Sequence, residues 1–454
     1  MKNILFSGYY ACKSLGCMSA KDLVGYDIIY TYNFDGHYSE DFNTLCNEVN
    51  IQKIKGWHSF LEIKDENFEM SKSELSFAYG KMANVIMPLY RFKYTDNLFY
   101  AQIALLESFG FWFRFFKENN INYVVANMPV YIDTAMHYVA EFIGITVYTI
   151  SPMALQPDNS SLFYAFDEMK QVAIPIGSGS VKLDEVIFPL QKNKPKKRNS
   201  IFTNSVLKTL ALTIIKGRLF RFLFILNEVR IYSLLRIHIQ KLYKKTYLDL
   251  SNKYVYYSLH FDPEMNTMPY EEMYANQLLN IRILSASLPE DWILYVKDHP
   301  QQHSFSHMSH HSEKYLIDLK YYRDTNFYNY LTSLKNVRLV DHTTDQVSLV
   351  KNAMAVASIK GTVFLEASYY SKPILVFGKK TPYRYLKNAY CVFDVPSCKK
   401  AMHYIEDLNG EMKSDIGHFL NKFTVLANIH HIGDKDKKDI SNFMSKLINF
   451  IQHE

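Results

Sequence analysis

Polar groups suited to phosphate chemistry collect at three places between Tyr254 and Gly378. The run VYYSL (255–259) is followed by His260, Asp262 and Glu264. WILYV (292–296) is followed by Lys297, Asp298, His299 and Pro300. MAVAS (354–358) is followed by Lys360, Gly361 and Thr362, then a helical pattern bearing Glu366. Each run is short and apolar with the character of a buried strand. An open parallel sheet binds its ligands just beyond the carboxyl ends of its strands. A cation at Lys297, a donor at His299 and the N–H groups of a helix opening after Gly361-Thr362 together suit a phosphate, which the helix dipole also favours. A lone Lys-x-His is ordinary surface, but here Pro300 ends the strand and leaves both side chains at its tip. Glu366, one turn into its helix, suits a ribose hydroxyl; the alternative is a solvated surface carboxylate.

The segments LHFDPE (259–264), YVKDHP (295–300) and KGTVFLEASYYSKPILVFG (360–378), in that order and spacing, resemble a known family. It is the C-terminal half of bacterial capsule and surface-polysaccharide glycosyltransferases of the two-Rossmann (GT-B) type, a group that includes the Kdo transferases of capsule assembly. The resemblance spans roughly 252–390. It implies an α/β fold of two Rossmann-like domains facing each other across a cleft, with a C-terminal helix crossing back to the first domain. It implies a nucleotide-activated sugar donor, a CMP-sugar in the Kdo-transferase case, held by Lys297, His299, Gly361, Thr362 and Glu366 with His260 and Glu264 as neighbours. The acceptor would be a glycan or lipid-linked glycan. Transfer would be inverting, without metal or cofactor. Two rival readings stay open. Wall-teichoic polymerases that use CDP-alcohols share a similar K-x-HP element, but usually carry Asp-Tyr-Ser-Ser where this chain has Ile359-Lys360-Gly361-Thr362. A non-catalytic sugar-binding protein on the same scaffold is the other.

Inverting transfer needs a base to deprotonate the acceptor hydroxyl. It should come from the first domain, facing the donor. Asp133, in NMPVYIDTAMHYV (127–139), is the first candidate; the resembling family often shows Pro-His…Asp there, and Val130 replaces the His. Asp35, in FDGH (34–37), is the second. Where some relatives carry a later acidic motif, this chain has ISPMALQPD (150–158). Asp is also a preferred helix N-cap, so beside Thr134 the residue types allow Asp133 either role.

The elements that must position these groups follow from pattern. A chain of 454 residues is long enough for two domains. Strands are expected at 3–10, 26–32, 121–129 and 145–150, with helices at 95–119 and 134–144. In the second half, strands are expected at 254–259, 292–297, 337–340, 354–358 and 373–377, with helices at 271–287, 344–352 and 362–371. Strand, helix, strand with short connections implies parallel pairing and right-handed crossovers. The expected division is a first domain over 1–187, a basic linker with amphipathic helices over 188–250, a nucleotide-binding domain over 251–432 and a terminal helix over 433–454.

Composition narrows the partners. With Lys+Arg 51 and Asp+Glu 45, a net charge of +6 is below the level of a dedicated nucleic-acid binder. The stretch 192–245 interleaves Lys and Arg with Leu, Ile and Phe, as core helices with a solvated face do, and as a peripheral contact with an anionic membrane does. No apolar run approaches the length of a membrane span, and MKNILFSGYY lacks a signal-peptide core. Cys12, Cys17, Cys46, Cys391 and Cys398 are scattered without ligand spacing, which fits a reducing cytoplasm. His303, His307, His310 and His311 have spacings that one helix face can gather around a metal, but the run is Ser-rich and lacks a completing carboxylate or thiol, so no metal is expected. The 35 Tyr and 31 Phe suit core packing, or an aromatic sugar groove.

Overall fold

A computed structural model describes residues 2–32, 40–54, 69–91, 98–127, 134–155, 160–179, 181–192, 230, 233–244, 246–262, 270–303, 323–429 and 432–454. Its strands form two sheets. In the first, β1 (Lys2–Ser7), β2 (Tyr26–Tyr32), β3 (Ile51–Lys53), β4 (Ile121–Asn127) and β5 (Thr146–Leu155) run parallel in the order β3-β2-β1-β4-β5. β6 (Ser161–Asp167) adds antiparallel to β5, and β7 (Val172–Ala173) adds antiparallel to β6. In the second, β8 (Tyr254–Ser258), β9 (Ile293–Lys297), β10 (Val337–Val340), β11 (Ala355–Ser358), β12 (Ile374–Val376) and β13 (Ala389–Cys391) are parallel throughout, in the order β10-β9-β8-β11-β12-β13. Both sheets grow outward from their first strand, one way and then the other. This is the Rossmann order, and its switch points lie between β1 and β4 and between β8 and β11.

Helices cover the faces. They are α1 (Tyr9–Leu15), α2 (Glu40–Cys46), α3 (Lys72–Arg91), α4 (Leu98–Glu118), α5 (Thr134–Ile143), α6 (Leu183–Lys192) and α7 (233–244) in the first half of the chain. The second half adds α8 (Gln277–Ser285), α9 (Thr325–Ser333), α10 (Gln346–Asn352), α11 (Val363–Tyr369), α12 (Val395–Asp407), α13 (Ile416–Phe423) and α14 (Asp434–His453). Because helices lie on both faces, parallel strands are buried on both sides and read as continuous apolar runs. β8 shows this: Tyr254 and Tyr256 join the core on one face, Val255 and Tyr257 the core on the other.

The two sheets share an apolar seam. Tyr254, Tyr256, Val356 and Val376 of the second sheet belong to one buried cluster with Leu162, Tyr164 and Phe166 of the first and Val186 of α6. The chain then returns. β14 (Val425–Ala427) pairs antiparallel with β6, ahead of the terminal helix. α14 buries Ile440, Phe443, Met444, Leu447, Ile448 and Ile451 in the core that holds Ile4, Phe6 and Leu15. Two Rossmann-like domains with a C-terminal helix crossing back to the first make up the GT-B arrangement. α7 docks Leu235, Ile239, Leu242 and Tyr243 on the second domain. Most of the remaining basic stretch between 192 and 245 lies outside the described residues. No helix among the described residues is long and apolar enough to cross a membrane.

The first strand ends three residues before the expected 10 because of Gly8. Its φ of 87° and ψ of 169° turn the chain from β1 into α1. The Asn127 carboxamide at the end of β4 fills the space beside it and accepts the Ala11 N–H at 3.0 Å. A Cβ on Gly8 would stand 2.7 Å from Asn127 Cγ. Such backbone is open essentially to glycine alone and costs other residues on the order of 1–3 kcal/mol. Gly8→Ala is therefore expected to lower unfolding free energy by about that amount or more, read by urea denaturation. A variant as stable as the parent would contradict this account of the first switch point.

Candidate functional site

At the switch point of the second sheet, the tips of β8 and β11 are joined by His260. Its Nε2 accepts the Lys360 backbone N–H at 3.2 Å, and Ser358 Oγ lies 3.2 Å from the same atom. Its own backbone N–H donates to Gln277 Oε1 at 2.7 Å. Burial, reinforced by His299, Lys360 and Arg323, lowers its pKa to about 3, so the ring is neutral near pH 7. Gly361 follows with φ +128°, and a Cβ there would meet His260 Cε1 at 3.3 Å. Only glycine takes that conformation without strain, and α11 opens directly after it. The first N–H groups of a helix have no intrahelical acceptors. Thr362 caps the helix with its backbone in a helical conformation and makes no side-chain capping bond.

Behind these tips lies a buried ion-pair network. Arg323 is 1% exposed. Its Nε and Nη2 donate to Asp262 Oδ2 at 3.0 and 2.8 Å, and Nη2 donates to the His260 carbonyl at 2.6 Å. Its Nη1 binds Asp298 Oδ1. Asp298 Oδ2 accepts Tyr328 OH at 2.7 Å and lies 3.1 Å from His303 Nε2. Burial pushes the Asp298 carboxyl up, but Arg323, His303 and Tyr328 override it and hold it at about 2. One guanidinium thus ties the tip of β8 to the tip of β9.

Successive strand residues face opposite sides, so Lys297 and Asp298 part company. Lys297, 3% exposed, turns toward α10 and α11 and donates from Nζ to the Thr344 carbonyl at 2.8 Å. Burial lowers its pKa to about 8, against the raising effect of Glu366, Asp345 and Asp341. Glu366, 5% exposed, accepts Gln346 Nε2 at 2.9 Å. Burial raises its carboxyl above the usual range, with Gln346 and Lys297 pulling the other way. Lys297 and Glu366 are thus both enclosed near the opening of α11, and His299 is the more accessible group of the YVKDHP tip, its ring 6.1 Å from that of Phe261.

A third group of charges faces the first domain. Glu168, just after β6, accepts Thr149 Oγ1 at 2.8 Å and Tyr270 OH at 2.5 Å, and pairs with Lys380 Nζ at 3.0 Å. Burial raises its pKa, and Lys380, His137 and Tyr270 outweigh that, leaving it lowered. Lys380 is desolvated too, but Glu168 overrides this and raises its pKa. The Tyr270 ring carries Lys360 Nζ at 4.3 Å and Lys380 Nζ at 5.0 Å from its centroid. Glu271 Oε2 accepts the Lys379 and Lys380 N–H groups at 2.7 and 3.3 Å, and its Oε1 lies 3.7 Å from Lys360 Nζ. Beside this group an interdomain cavity of about 180 Å³ is lined by Thr134, His137, Tyr138, Glu168, Tyr270 and Lys380 among others. Burial lowers the His137 pKa to about 4, with Glu168 raising it and Lys380 lowering it.

Of the residues expected to bind a donor, His260, Lys297, His299, Gly361, Thr362 and Glu366 gather at the carboxyl edge of β8, β9 and β11. Glu264, Asp133 and Asp35 lie outside the described residues, as do His307, His310 and His311 of the His-rich run. His303 belongs to the Asp298 network and stacks on His342 at 4.1 Å between centroids. Among the described residues no group of three His, Cys, Asp or Glu is placed to hold a metal ion. Sequence reasoning missed Arg323, Tyr270, Glu271, Lys380, Glu168 and His137. Glu168 follows a strand-like run in FYAFDE (163–168), a signal of the same kind as the others; Arg323 has no such flag.

No protein-family model matches the chain, and no curated protein matches it. Among solved structures it is similar to UDP-GlcNAc 2-epimerase of Methanocaldococcus jannaschii, at 12% identity over 100% of each chain and a TM-score of 0.29. It is similar to an α,α-trehalose-phosphate synthase (UDP-forming) of Burkholderia vietnamiensis, at 8% identity over 99% of this chain and 100% of that one, TM-score 0.32. It is also similar to a glycosyltransferase of Rickettsia africae, at 9% identity over 99% and 97%, TM-score 0.25. These correspondences are loose, and the functional reading rests on the site itself.

The Arg323 network generates a stability prediction. Removing one partner of a buried pair leaves an uncompensated charge and costs roughly 3–5 kcal/mol. Arg323→Met is expected to lose about that much in urea denaturation at pH 7. The folded pKa of Asp298 lies below its unfolded value, so its contribution is present above about pH 4 and lost as pH falls toward about 2. A loss under about 1 kcal/mol in Arg323→Met would show that the network does not hold the strand tips.

Proposed function

We propose that this protein is a glycosyltransferase that moves a sugar from a nucleotide-activated donor to a growing bacterial capsule or other surface polysaccharide. The observation that carries the reading is the switch point between β8 and β11. There His260, Lys360, Gly361 and Thr362 meet at the carboxyl edge of a Rossmann-ordered sheet, with His299 at the neighbouring tip. Such crevices are where these sheets bind nucleotides. Protein cations and helix-opening amides would meet the phosphate charge as the sugar leaves, preorganised and without a metal. Lys297 and Glu366 would act from beneath, supporting the start of α11. By the family resemblance the donor is a CMP-sugar, the transfer inverting, and the acceptor a glycan or lipid-linked glycan offered at the inner face of the cytoplasmic membrane, with the basic segment around 192–245 as the membrane contact.

Nucleotide binding tests this reading. A ligand present at about a hundredfold above its Kd stabilises the folded state by about 2.7 kcal/mol. Among CMP, CDP, UDP and GDP, at least one is expected to raise the melting temperature in that way, CMP foremost. His299→Ala is expected to weaken that binding about tenfold or more, since hydrogen bonds to charged groups contribute roughly 1.5–3 kcal/mol. Equal nucleotide affinity in His299→Ala and the parent would remove His299 from the site.

The base is proposed to be Asp133, with Asp35 second. Loss of a general base lowers turnover more than binding, typically by about a hundredfold or more. Asp133→Asn is expected to show that loss with donor affinity retained, and Asp35→Asn much less. If Asp133 is instead a helix cap, Asp133→Asn keeps both cap and turnover, while Asp133→Ala loses about 1 kcal/mol of stability and still turns over normally.

A further inference from the structure

The interdomain cavity has one feature that the donor-site reading leaves unused. His137, in the first turn of α5, is 9% exposed and lines the cavity. The nearby Asn127 backbone favours the protonated ring only slightly against burial. Its Nε2 has no hydrogen-bond partner among the described residues. The ring is neutral, because burial disfavours the imidazolium. In the neutral tautomer protonated at Nδ1, Nε2 carries a bare lone pair. Leaving a buried acceptor unmade is costly, so such a group calls for a ligand donor.

The other polar groups say what kind of donor. Lys380 is matched by Glu168 at 3.0 Å, and Glu168 is further satisfied by Thr149 and Tyr270. This pair is already compensated and offers no free charge, while Glu141, which pairs with Lys81 at 3.4 Å, and Glu272 also line the cavity and disfavour an anionic ligand. A single water needs roughly 10–15 Å³ of such space. At about 180 Å³ the cavity holds far more than one water and admits a ring-sized molecule. Tyr138 and Tyr270 add aromatic surface to its wall. Tyr270 is also the partition between the cavity and the switch point: its hydroxyl binds Glu168, while its ring takes Lys360 at 4.3 Å.

We propose that this cavity is a sugar-hydroxyl subsite, in which a neutral pyranose donates a hydroxyl hydrogen to His137 Nε2. It rests on the proposed transferase reading, and it would seat an acceptor ring one side chain away from the donor crevice. His137 is the recognising acceptor, and the paired Glu168 and Lys380 form a fixed polar wall.

The test uses full-length protein labelled with ¹⁵N-histidine. It is titrated with the methyl glycosides of glucose, galactose and N-acetylglucosamine. The His137 resonance is assigned by its absence in His137→Gln. At least one glycoside is expected to shift that resonance saturably. His137→Phe, which keeps a ring there but offers no acceptor, is expected to weaken glycoside binding about tenfold or more, and His137→Gln, which keeps an oxygen acceptor, to weaken it less. Melting temperatures of both variants confirm folding. No saturable shift with any of the three glycosides, or unchanged glycoside affinity in the folded variants, overturns the subsite. Nucleotide affinity is read on the same samples. Intact nucleotide binding without a sugar response overturns the subsite alone, whereas failure of all nucleotides to bind overturns the donor-site reading beneath it.

Discussion

A single buried guanidinium shapes the edge of the second sheet. The β8–β9 ladder closes with the Leu259 N–H donating to the Lys297 carbonyl at 3.0 Å, and beyond it Arg323 binds the His260 carbonyl, Asp262 and Asp298. Arg323 and Asp298 are removed from water here and Asp262 is half-buried, a heavy cost unless each is paired and its remaining hydrogen bonds are satisfied. They are satisfied: Tyr328 and His303 complete Asp298, and Gln277 Nε2 completes Asp262 at 2.9 Å. With the β8 tip fixed this way, His260 is aimed at β11, and its bond to the Lys360 amide sets where Gly361 turns and α11 begins.

From that edge two further constraints reach the first domain. The apolar seam around Tyr254, Tyr164 and Phe166 holds the sheets together on one side. On the other, Glu168 receives Lys380 and Tyr270 from the second domain. The seam is non-directional; the ion pair and the 2.5 Å hydroxyl bond specify orientation. Tyr270 follows β8 and Lys380 follows β12, so loops at the carboxyl edge of the second sheet also touch the first domain.

Much of the architecture was legible in the sequence, because parallel strands buried on both faces leave short apolar runs bounded by polar residues. β8 to β12 fall within a residue or two of their expected spans, and α14 occupies 434–453 as its apolar spacing implies. What the runs do not encode is which way a tip residue turns. YVKDHP reads as a cluster of like purpose, yet pleat parity sends Lys297 to α10 and Asp298 to Arg323. Arg323 was invisible because its partners stand 61 and 25 residues earlier and no local pattern marks it. The interdomain pair was hidden for the same reason: Tyr270 and Glu168 are 102 residues apart and on different domains. Gly8 shortened β1 through a backbone angle that a strand-like run does not reveal.

The central claim is that a nucleotide sits in the crevice between β8 and β11. The most direct test is a crystal structure of the full chain with the tightest-binding of CMP, CDP, UDP and GDP. The account predicts phosphate density at the turn formed by Gly361 and Thr362, within reach of His299 and Lys360. Nucleotide density at the β1–β4 switch point beside Gly8 and Asn127 instead, with the β8–β11 crevice occupied only by solvent, would contradict it.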